Sequence, residues 1–293
     1  MTFRGNRTAT HETSGRAKSV RVRSFAYRHE ALEFRAMAAV TLDLWHTLIY
    51  LPPEDEERYM AHQLALGTTV LRSSRVLPGA PNLSDEEIGK AFERAYLDAV
   101  TQSAEGRTVT PAEQLMSAAK EVGRDADARD YLRGLHDEIR HTRFLRAPGA
   151  LELLRGLRAQ GYRVGVISNT VGEPGAFLRP ILASMEFDRY VETFVFSDEL
   201  PWTKPAPEIF RIALSQLSEE PSSAVHVGDG WSDLEGARRA GYRGAILFTG
   251  LHEYGESYRR LFLPGVPGVP EADYRTDRLS EVAPLVGKLL PPD

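Results

Sequence analysis

The residues of this chain that could do chemistry stand where short apolar runs end. The first run, residues 40–42, ends at Asp43, and Thr47 follows in a short loop. In an open α/β sheet, ligands bind beyond the carboxyl ends of the strands. A carboxylate at that edge can attack an electrophile or hold a metal ion. Asp43 is therefore the first candidate for a catalytic or metal-binding residue.

Polar groups also follow three later apolar runs, which we predict to be strands over residues 163–167, 192–196 and 224–227. The polar groups are Ser168 with Asn169, then Lys204, then Asp229 with Asp233 four residues further on. Taken singly, each of these groups is typical of a helix cap, a turn or a solvated surface. In a parallel sheet, however, all of them would gather at one edge. A basic group, hydroxyl and amide donors and three carboxylates would together bind an anion and a metal ion.

The elements that must position these groups alternate between strand and helix from residue 148 onward. Helices are predicted over residues 150–160, 205–217 and 234–240, and a further strand over 244–248. Such alternation predicts an α/β fold whose parallel strands are joined by right-handed crossovers. The Gly- and Pro-rich residues 251–269 are predicted to form a loop. A last helix is predicted over 279–290, with an interruption at Pro284.

Residues 54–145 have a different pattern, which predicts helices throughout. Ser84 and Glu87 have the spacing of a capping box before an apolar stripe. Thr110, followed by a proline, is a second helix start. Apolar residues three to four positions apart continue the helical period to about residue 139. We therefore expect a small helical module inserted after the first strand.

Composition excludes several classes of protein. The 293 residues are 42% hydrophobic and 26% charged, and no Cys is present, so disulfide and thiol chemistry are excluded. A metal would need O or N ligands, which favours hard ions such as Mg²⁺. The net charge of -5 argues against general nucleic-acid binding. No apolar run is long enough to span a bilayer or to form a secretory signal, so we expect a cytoplasmic protein without a membrane partner.

The N-terminal residues 1–36 differ in charge from the rest of the chain. They carry eight basic and three acidic side chains, whereas the remainder has a net charge of -10. No sustained apolar period precedes residue 38, so we predict either a mobile arm or upstream sequence that is not part of the native chain, which would then start at Met37. A basic arm that binds an acidic partner and an organelle-targeting segment are the alternatives.

Together, these motifs and their order resemble those of the haloacid dehalogenase-like (HAD) hydrolase superfamily. The resemblance runs from about residue 38 to the C-terminus. It implies a Rossmann-like parallel sheet core, formed by residues 37–53 and 146–293, with an all-helical cap over residues 54–145. The matching motifs are Asp43-x-x-x-Thr47, Ser168-Asn169, Lys204-Pro205-x-Pro207-x-x-Phe210 and Gly228-Asp229-x-x-x-Asp233-x-x-Gly236-Ala237-x-x-Ala240-Gly241.

The same resemblance implies a role for each matched position. Asp43 would be the nucleophile that forms an acyl phosphate, and Thr47 would steady its loop. Lys204 would offset charge between the nucleophile and the phosphate. Ser168 would bind the phosphoryl oxygens, with Asn169 in the same loop. Mg²⁺ would be held by Asp43, Asp229, Asp233 and the backbone carbonyl of Trp45.

Trp45 departs from the family pattern, which usually has a second Asp at this position to protonate the leaving group and activate water. Losing such a group lowers the rate by a factor of roughly 10²–10⁴, which corresponds to a barrier about 3–5 kcal/mol higher. The indole can line the substrate site as an apolar wall, but it cannot move a proton. The adjacent His46 is either a substitute acid–base or a loop residue that packs with Trp45. Other candidates lie in the predicted cap: His62, His136 and His141.

Three functions remain open on this basis. The main hypothesis is an Mg²⁺-dependent phosphatase that acts on a small phosphorylated metabolite through an aspartyl phosphate. A 2-haloacid dehalogenase would not need the acid, since halide leaves without a proton, but it would not need the metal-binding Asp229 and Asp233 either. A binding or regulatory protein without catalysis is the third, although the intact Asp43, Lys204 and Asp229 argue against it. The substrate and the oligomeric state are not determined by the sequence.

Overall fold

The computed structural model describes residues 38–252 and 271–291, which contain strands and helices in the following order. The strands are β1 (Ala39–Leu42), β2 (Ile49–Tyr50), β3 (Arg75–Val76), β4 (Arg124–Asp125), β5 (Leu145–Arg146), β6 (Arg163–Ser168), β7 (Thr193–Phe196), β8 (Ala224–Gly228), β9 (Gly244–Phe248) and β10 (Tyr274–Thr276). The helices are α1 (Pro53–Ser73), α2 (Asp85–Ala104), α3 (Pro111–Glu121), α4 (Ala128–His141), α5 (Ala150–Ala159), α6 (Gly175–Ser184), α7 (Pro207–Leu217), α8 (Trp231–Ala240) and α9 (Val282–Leu289). Short 3₁₀ turns occupy Phe187–Arg189, Ser197–Glu199, Pro221–Ser223 and Leu279–Glu281.

Six of the strands form one sheet in the order β10-β9-β8-β1-β6-β7, and every pairing is parallel. All four residues of β1 are buried, because β1 lies between β6 and β8 with helices on the sheet. A strand buried in this way is apolar along its whole length, which explains its uninterrupted apolar pattern. The predicted α/β parallel-sheet fold is therefore confirmed.

The segment between β2 and β5 folds mainly into helices α1–α4, which we call the helical insert. Its two ends meet because β2 pairs antiparallel with β5. The capping boxes predicted at Ser84 and Thr110 are both formed. The insert has its own apolar core, in which Phe92 contacts Tyr131 edge to face. Besides the helices, it contains the two-residue antiparallel pair β3–β4, which the sequence pattern did not predict.

Several elements differ from the sequence prediction. Strand β10 and helix α6 were not predicted, because β10 is only three residues long and α6 contains Pro180 in an irregular apolar pattern. Pro284 does not interrupt α9, since it lies in the first turn of that helix, where a backbone N–H has no partner within the helix. The other predicted elements are present, with ends shifted by up to three residues.

Two predictions concern residues outside the described ranges. These are the N-terminal arm 1–36 with Met37, and most of the Gly- and Pro-rich loop 251–269. Among the helices of the described ranges, none combines the length and the apolar character that crossing a membrane would require.

Candidate active site

Asp43 lies directly after β1 at the carboxyl edge of the sheet. Its backbone N–H donates to the carbonyl of Val227 at 2.8 Å, which ties it to the end of β8. The next residues fold back at once, because the N–H groups of Leu48 and Ile49 both donate to the carbonyl of Leu44 at 2.9 Å. This tight loop holds Asp43, which is only 5% exposed, at the base of the site.

Lys204 brings two distant carboxylates together. Its ammonium is buried and donates to Asp43 and, at 2.7 Å, to Oδ1 of Asp233. The backbone of Lys204 is clamped by the amide of Asn169, which accepts from the Lys204 N–H at 2.8 Å and donates to its carbonyl at 3.0 Å. The side chain of Asn169 therefore positions the lysine, and a phosphate contact from the Asn169 loop stays a prediction.

A third carboxylate, that of Asp229, lies close to the two that Lys204 contacts. Asp43, Asp229 and Asp233 each offer an oxygen, and these oxygens lie within 4.8 Å of one another. Asp233 belongs to the first turn of α8, and its Oδ2 accepts from the N–H of Gly230 at 3.1 Å. Asp229 lies in the loop between β8 and α8. The predicted metal ligands are thus brought together, although they come from two different strand ends.

The charges in the site are unbalanced. Burial alone would raise the pKa of the Asp233 carboxyl, but Lys204 outweighs it and the pKa is lowered. Burial raises the pKa of Asp43, and the neighbouring Asp233 adds to this rise while Lys204 opposes it. Although burial disfavours its charged form, Lys204 has a raised pKa because both carboxylates face it. The site thus contains three carboxyl groups and one ammonium, which pairs with two of them.

This donor set fits a hard divalent cation. Mg²⁺ and Ca²⁺ prefer carboxylate and carbonyl oxygens, and two further positive charges would balance the excess of buried negative charge. The carbonyl of Trp45, two residues after Asp43, is the additional ligand that the family resemblance implies.

Ser168 and Thr47 lie in the same region and are both fully buried. Ser168 is the last residue of β6, and its hydroxyl donates to the carbonyl of Asn169 at 3.3 Å. Within the described part of the chain, the Thr47 hydroxyl has no hydrogen-bond partner. A buried hydroxyl without a partner costs free energy. A bound ligand that accepts a hydrogen bond from Thr47 would remove that cost.

Trp45 forms part of an aromatic wall between the sheet and the helical insert. Its ring meets Phe144 edge to face, with centroids 5.4 Å apart, and Phe144 meets Tyr59 of α1 in the same way at 5.8 Å. His46 follows with φ of 56°, in the left-handed region, and its Nε2 lies 3.0 Å from Oε1 of Glu56. His46 therefore connects the loop after Asp43 to the first turn of α1.

The other three candidate histidines lie on exposed faces of the insert. His62 pairs with Glu138 at 3.2 Å, and Nδ1 of His141 lies 2.7 Å from the carbonyl of Asp137. The ring of His136 meets Phe177 edge to face at 5.0 Å. Each has a local contact that accounts for its position.

Two residues near the site were missed by sequence reasoning. His226 in β8 is fully buried, and its Nε2 lies 3.2 Å from Oδ1 of Asp233. Its signal was present, since a His interrupts an otherwise apolar strand. Glu173, five residues after Ser168, accepts from Gln63 of α1 at 3.1 Å, and burial raises its pKa to about 7. No local pattern indicates this contact, because the partner lies 110 residues away.

Comparison with known proteins agrees with this geometry. Residues 37–241 match the family model described as "haloacid dehalogenase-like hydrolase". The chain is 33% identical over 105 residues to "Phosphoglycolate phosphatase 1" of Pseudomonas aeruginosa, a match covering 36% of this chain and 38% of that protein. It is 29% identical over 165 residues to "Phosphoglycolate phosphatase" of Nitrosococcus oceani, covering 56% of this chain and 67% of that protein.

Among solved structures, the fold is similar to that of a HAD phosphatase from Thermococcus onnurineus. The TM-score is 0.56 at 22% sequence identity, and the match covers 86% of this chain and 98% of that one. At this identity the likeness shows the fold alone. The match to the family model spans most of the chain and includes the residues that converge at the sheet edge. This protein therefore belongs to the haloacid dehalogenase-like hydrolase family.

Proposed function

We propose that this protein is an Mg²⁺-dependent phosphatase that hydrolyses a small phosphorylated metabolite through an aspartyl phosphate on Asp43. The observation that carries the proposal is the convergence of Asp43, Asp229 and Asp233, two of which, Asp43 and Asp233, accept from the buried ammonium of Lys204. The phosphatase relatives support the reaction type, although the chain matches only part of their length.

In the first step, a carboxylate oxygen of Asp43 attacks phosphorus. The new O–P bond makes an acyl phosphate, and the bond from phosphorus to the leaving-group oxygen breaks with its electron pair on that oxygen. A carboxylate that approaches a phosphate dianion meets like-charge repulsion. Lys204 offsets that repulsion, and Mg²⁺ held by the three carboxylates would supply further positive charge.

In the second step, water attacks the phosphorus of the acyl phosphate. The O–P bond to Asp43 breaks, and the carboxylate is regenerated with release of inorganic phosphate. One proton must leave the attacking water, and in the first step one proton is needed by a basic leaving group. Trp45 can serve neither transfer, because the indole N–H is not a usable acid or base.

The proposed substrates therefore have leaving groups that depart as stable anions, unless another side chain supplies the proton. Acyl phosphates, phosphoanhydrides and aryl esters satisfy this condition, whereas simple alkyl esters do not. His46 is the nearest candidate for a substitute. Its Nε2 lies 3.0 Å from Oε1 of Glu56, and this contact orients the imidazole.

The decisive test compares wild type with Asp43→Asn on a panel of acyl phosphates, phosphoanhydrides and phosphate esters with Mg²⁺. We expect turnover of at least one of these compounds by wild type, abolished by EDTA and by the substitution. If wild type hydrolyses none of the panel and Asp43→Asn changes no property, the phosphatase proposal fails.

The dehalogenase alternative predicts a different result. Halide release from short 2-haloacids that continues in EDTA would favour attack on carbon. The retained Asp229 and Asp233 argue against that reaction, because a metal on Asp43 would weaken its attack on carbon. Binding of a protein partner without turnover of any substrate would support the non-catalytic alternative.

A further inference from the structure

A buried polar side chain lies beneath the site and is not used by the chemistry described so far. His226 in β8 is fully buried, as is its neighbour Thr41 in β1. The two residues are partners in the register of the adjacent strands, so their side chains stand on the same face of the sheet. The Thr41 hydroxyl lies 2.8 Å from Nδ1 of His226, and Nε2 of the ring lies 3.2 Å from Oδ1 of Asp233.

The surroundings of His226 are apolar and aromatic. Its ring meets Phe210 edge to face at 5.0 Å and Tyr242 at 6.3 Å. Burying an imidazole in such a place costs free energy unless both ring nitrogens are paired. An apolar residue would suit a central parallel strand without that cost. The two hydrogen bonds therefore point to a role for His226 other than packing.

The chemistry of the partners assigns the proton on the ring. An ionised Asp233 only accepts hydrogen bonds, so Nε2 of His226 must carry the hydrogen and donate it. In the neutral ring Nδ1 then accepts, and the Thr41 hydroxyl, 2.8 Å away, is the donor that faces it, although the same hydroxyl also lies 3.3 Å from that of Tyr242. Thr41 thereby selects the tautomer that Asp233 requires.

Asp233 is consequently held by three donors. Lys204 and His226 both donate to Oδ1, and the N–H of Gly230 donates to Oδ2. Without His226, Oδ1 would depend on the ammonium of Lys204, which Asp43 also needs. The imidazole thus orients Asp233 and leaves Lys204 positioned between the two carboxylates.

We propose that His226 is a positioning residue for the metal site. The Nε2–H of His226 holds Asp233 in the orientation needed to bind Mg²⁺, and Thr41 supports the ring through Nδ1. This rests on the proposed metal-dependent function. Groups that orient a metal ligand in this way typically contribute 10- to 100-fold in metal affinity.

The test uses two amide variants of the full chain, His226→Gln and His226→Asn, with Tyr242→Phe as a control. The longer Gln side chain can bring an N–H to the position of Nε2, whereas the shorter Asn amide reaches only the position of Nδ1. We measure the Mg²⁺ dissociation constant by isothermal titration calorimetry and the melting temperature in EDTA. The control removes a buried hydroxyl 3.3 Å from that of Thr41 but keeps the Thr41–His226 and His226–Asp233 contacts, so it reports on a general disturbance of the same core.

We expect His226→Asn to weaken Mg²⁺ binding at least 10-fold, His226→Gln to stay within about 3-fold of wild type, and Tyr242→Phe to bind as wild type. A lower melting temperature with unchanged Mg²⁺ affinity in His226→Asn would overturn the proposal, because it would indicate a purely structural role. Equal weakening by Asn and Gln would also overturn it.

If His226→Asn does not fold, Thr41→Val replaces it, since it keeps the shape and removes the hydroxyl that selects the tautomer. We expect it to weaken Mg²⁺ binding about 3-fold or more, and unchanged affinity would contradict the proposal. The proposed function has its own test, because a wild-type protein that binds no Mg²⁺ at all would contradict it. The inference about His226 would then fail as well.

Discussion

The ring of Trp45, two residues after Asp43, meets the ring of Phe144 edge to face, with centroids 5.4 Å apart. Phe144 in turn contacts Tyr59 of α1, so Trp45 links the loop after Asp43 to the helical insert. Trp45 therefore belongs to an apolar wall, and its indole cannot take part in proton transfer. We therefore expect the residue at position 45 to determine which leaving groups the protein can release.

Trp45→Asp should broaden the range of substrates. The new carboxyl could protonate a leaving group, so kcat/KM for alkyl phosphates should rise by about 10²-fold while aryl phosphates change little. Trp45→Asn is the matched control, because Asn has the same size as Asp and cannot transfer the proton. An equal rise for both variants would mean that relief of crowding, and not acid catalysis, limits the wild type.

His46→Ala tests the nearest alternative source of the proton. If His46 supplies it, the substitution should reduce turnover of poor leaving groups by about 10²-fold and of good leaving groups much less. The measurement is a series of aryl phosphates with leaving groups of graded acidity. The same loss across the whole series would remove His46 as the acid and leave its contact with Glu56 as a structural link.

Removing one carboxylate should separate metal binding from folding. At a Mg²⁺ concentration 100 times its dissociation constant, wild type should gain about 2.7 kcal/mol in the free energy of unfolding. Asp229→Asn should lose most of this gain and retain its stability in EDTA, because like-charge repulsion with Asp43 and Asp233 is reduced. Thermal unfolding with and without Mg²⁺ measures both effects. A gain of the same size in wild type and variant would contradict the assignment of Asp229 as a ligand.

Glu173 should make the stability of the folded chain depend on pH. Burial raises its pKa in the folded state to about 7, so the folded protein binds the proton more tightly than the unfolded chain. Stability should therefore be highest below pH 4.5 as far as this group is concerned, and should fall as the pH rises to about 7.

Glu173→Gln keeps an acceptor for Gln63 and removes this titration. Above pH 7 the variant should be more stable than wild type by about 2–3 kcal/mol, and the difference should shrink toward low pH. Urea unfolding from pH 5 to pH 8 measures the difference. Curves that stay parallel over this range would show that the ionised carboxylate is accommodated at no cost.

The class of fold and the polar ends of the strands could be predicted from the sequence because they depend on local patterns. An apolar run that ends at Asp43, and an Asp four residues after Asp229, are visible within a few residues. The capping boxes of the helical insert are equally local, and they form as predicted. Strand β10 escaped because three residues carry too little periodicity to indicate a strand.

The pairings inside the site could be decided only by the tertiary structure. Lys204 meets Asp43 across 161 residues, and Gln63 meets Glu173 across 110, so no spacing along the chain indicates either contact. Sheet order puts β1 beside β8, and this alone brings Thr41 to His226. Local sequence determines which side chains stand at the sheet edge, whereas the distances between their atoms, and therefore their charges and protons, depend on how the strands and helices pack.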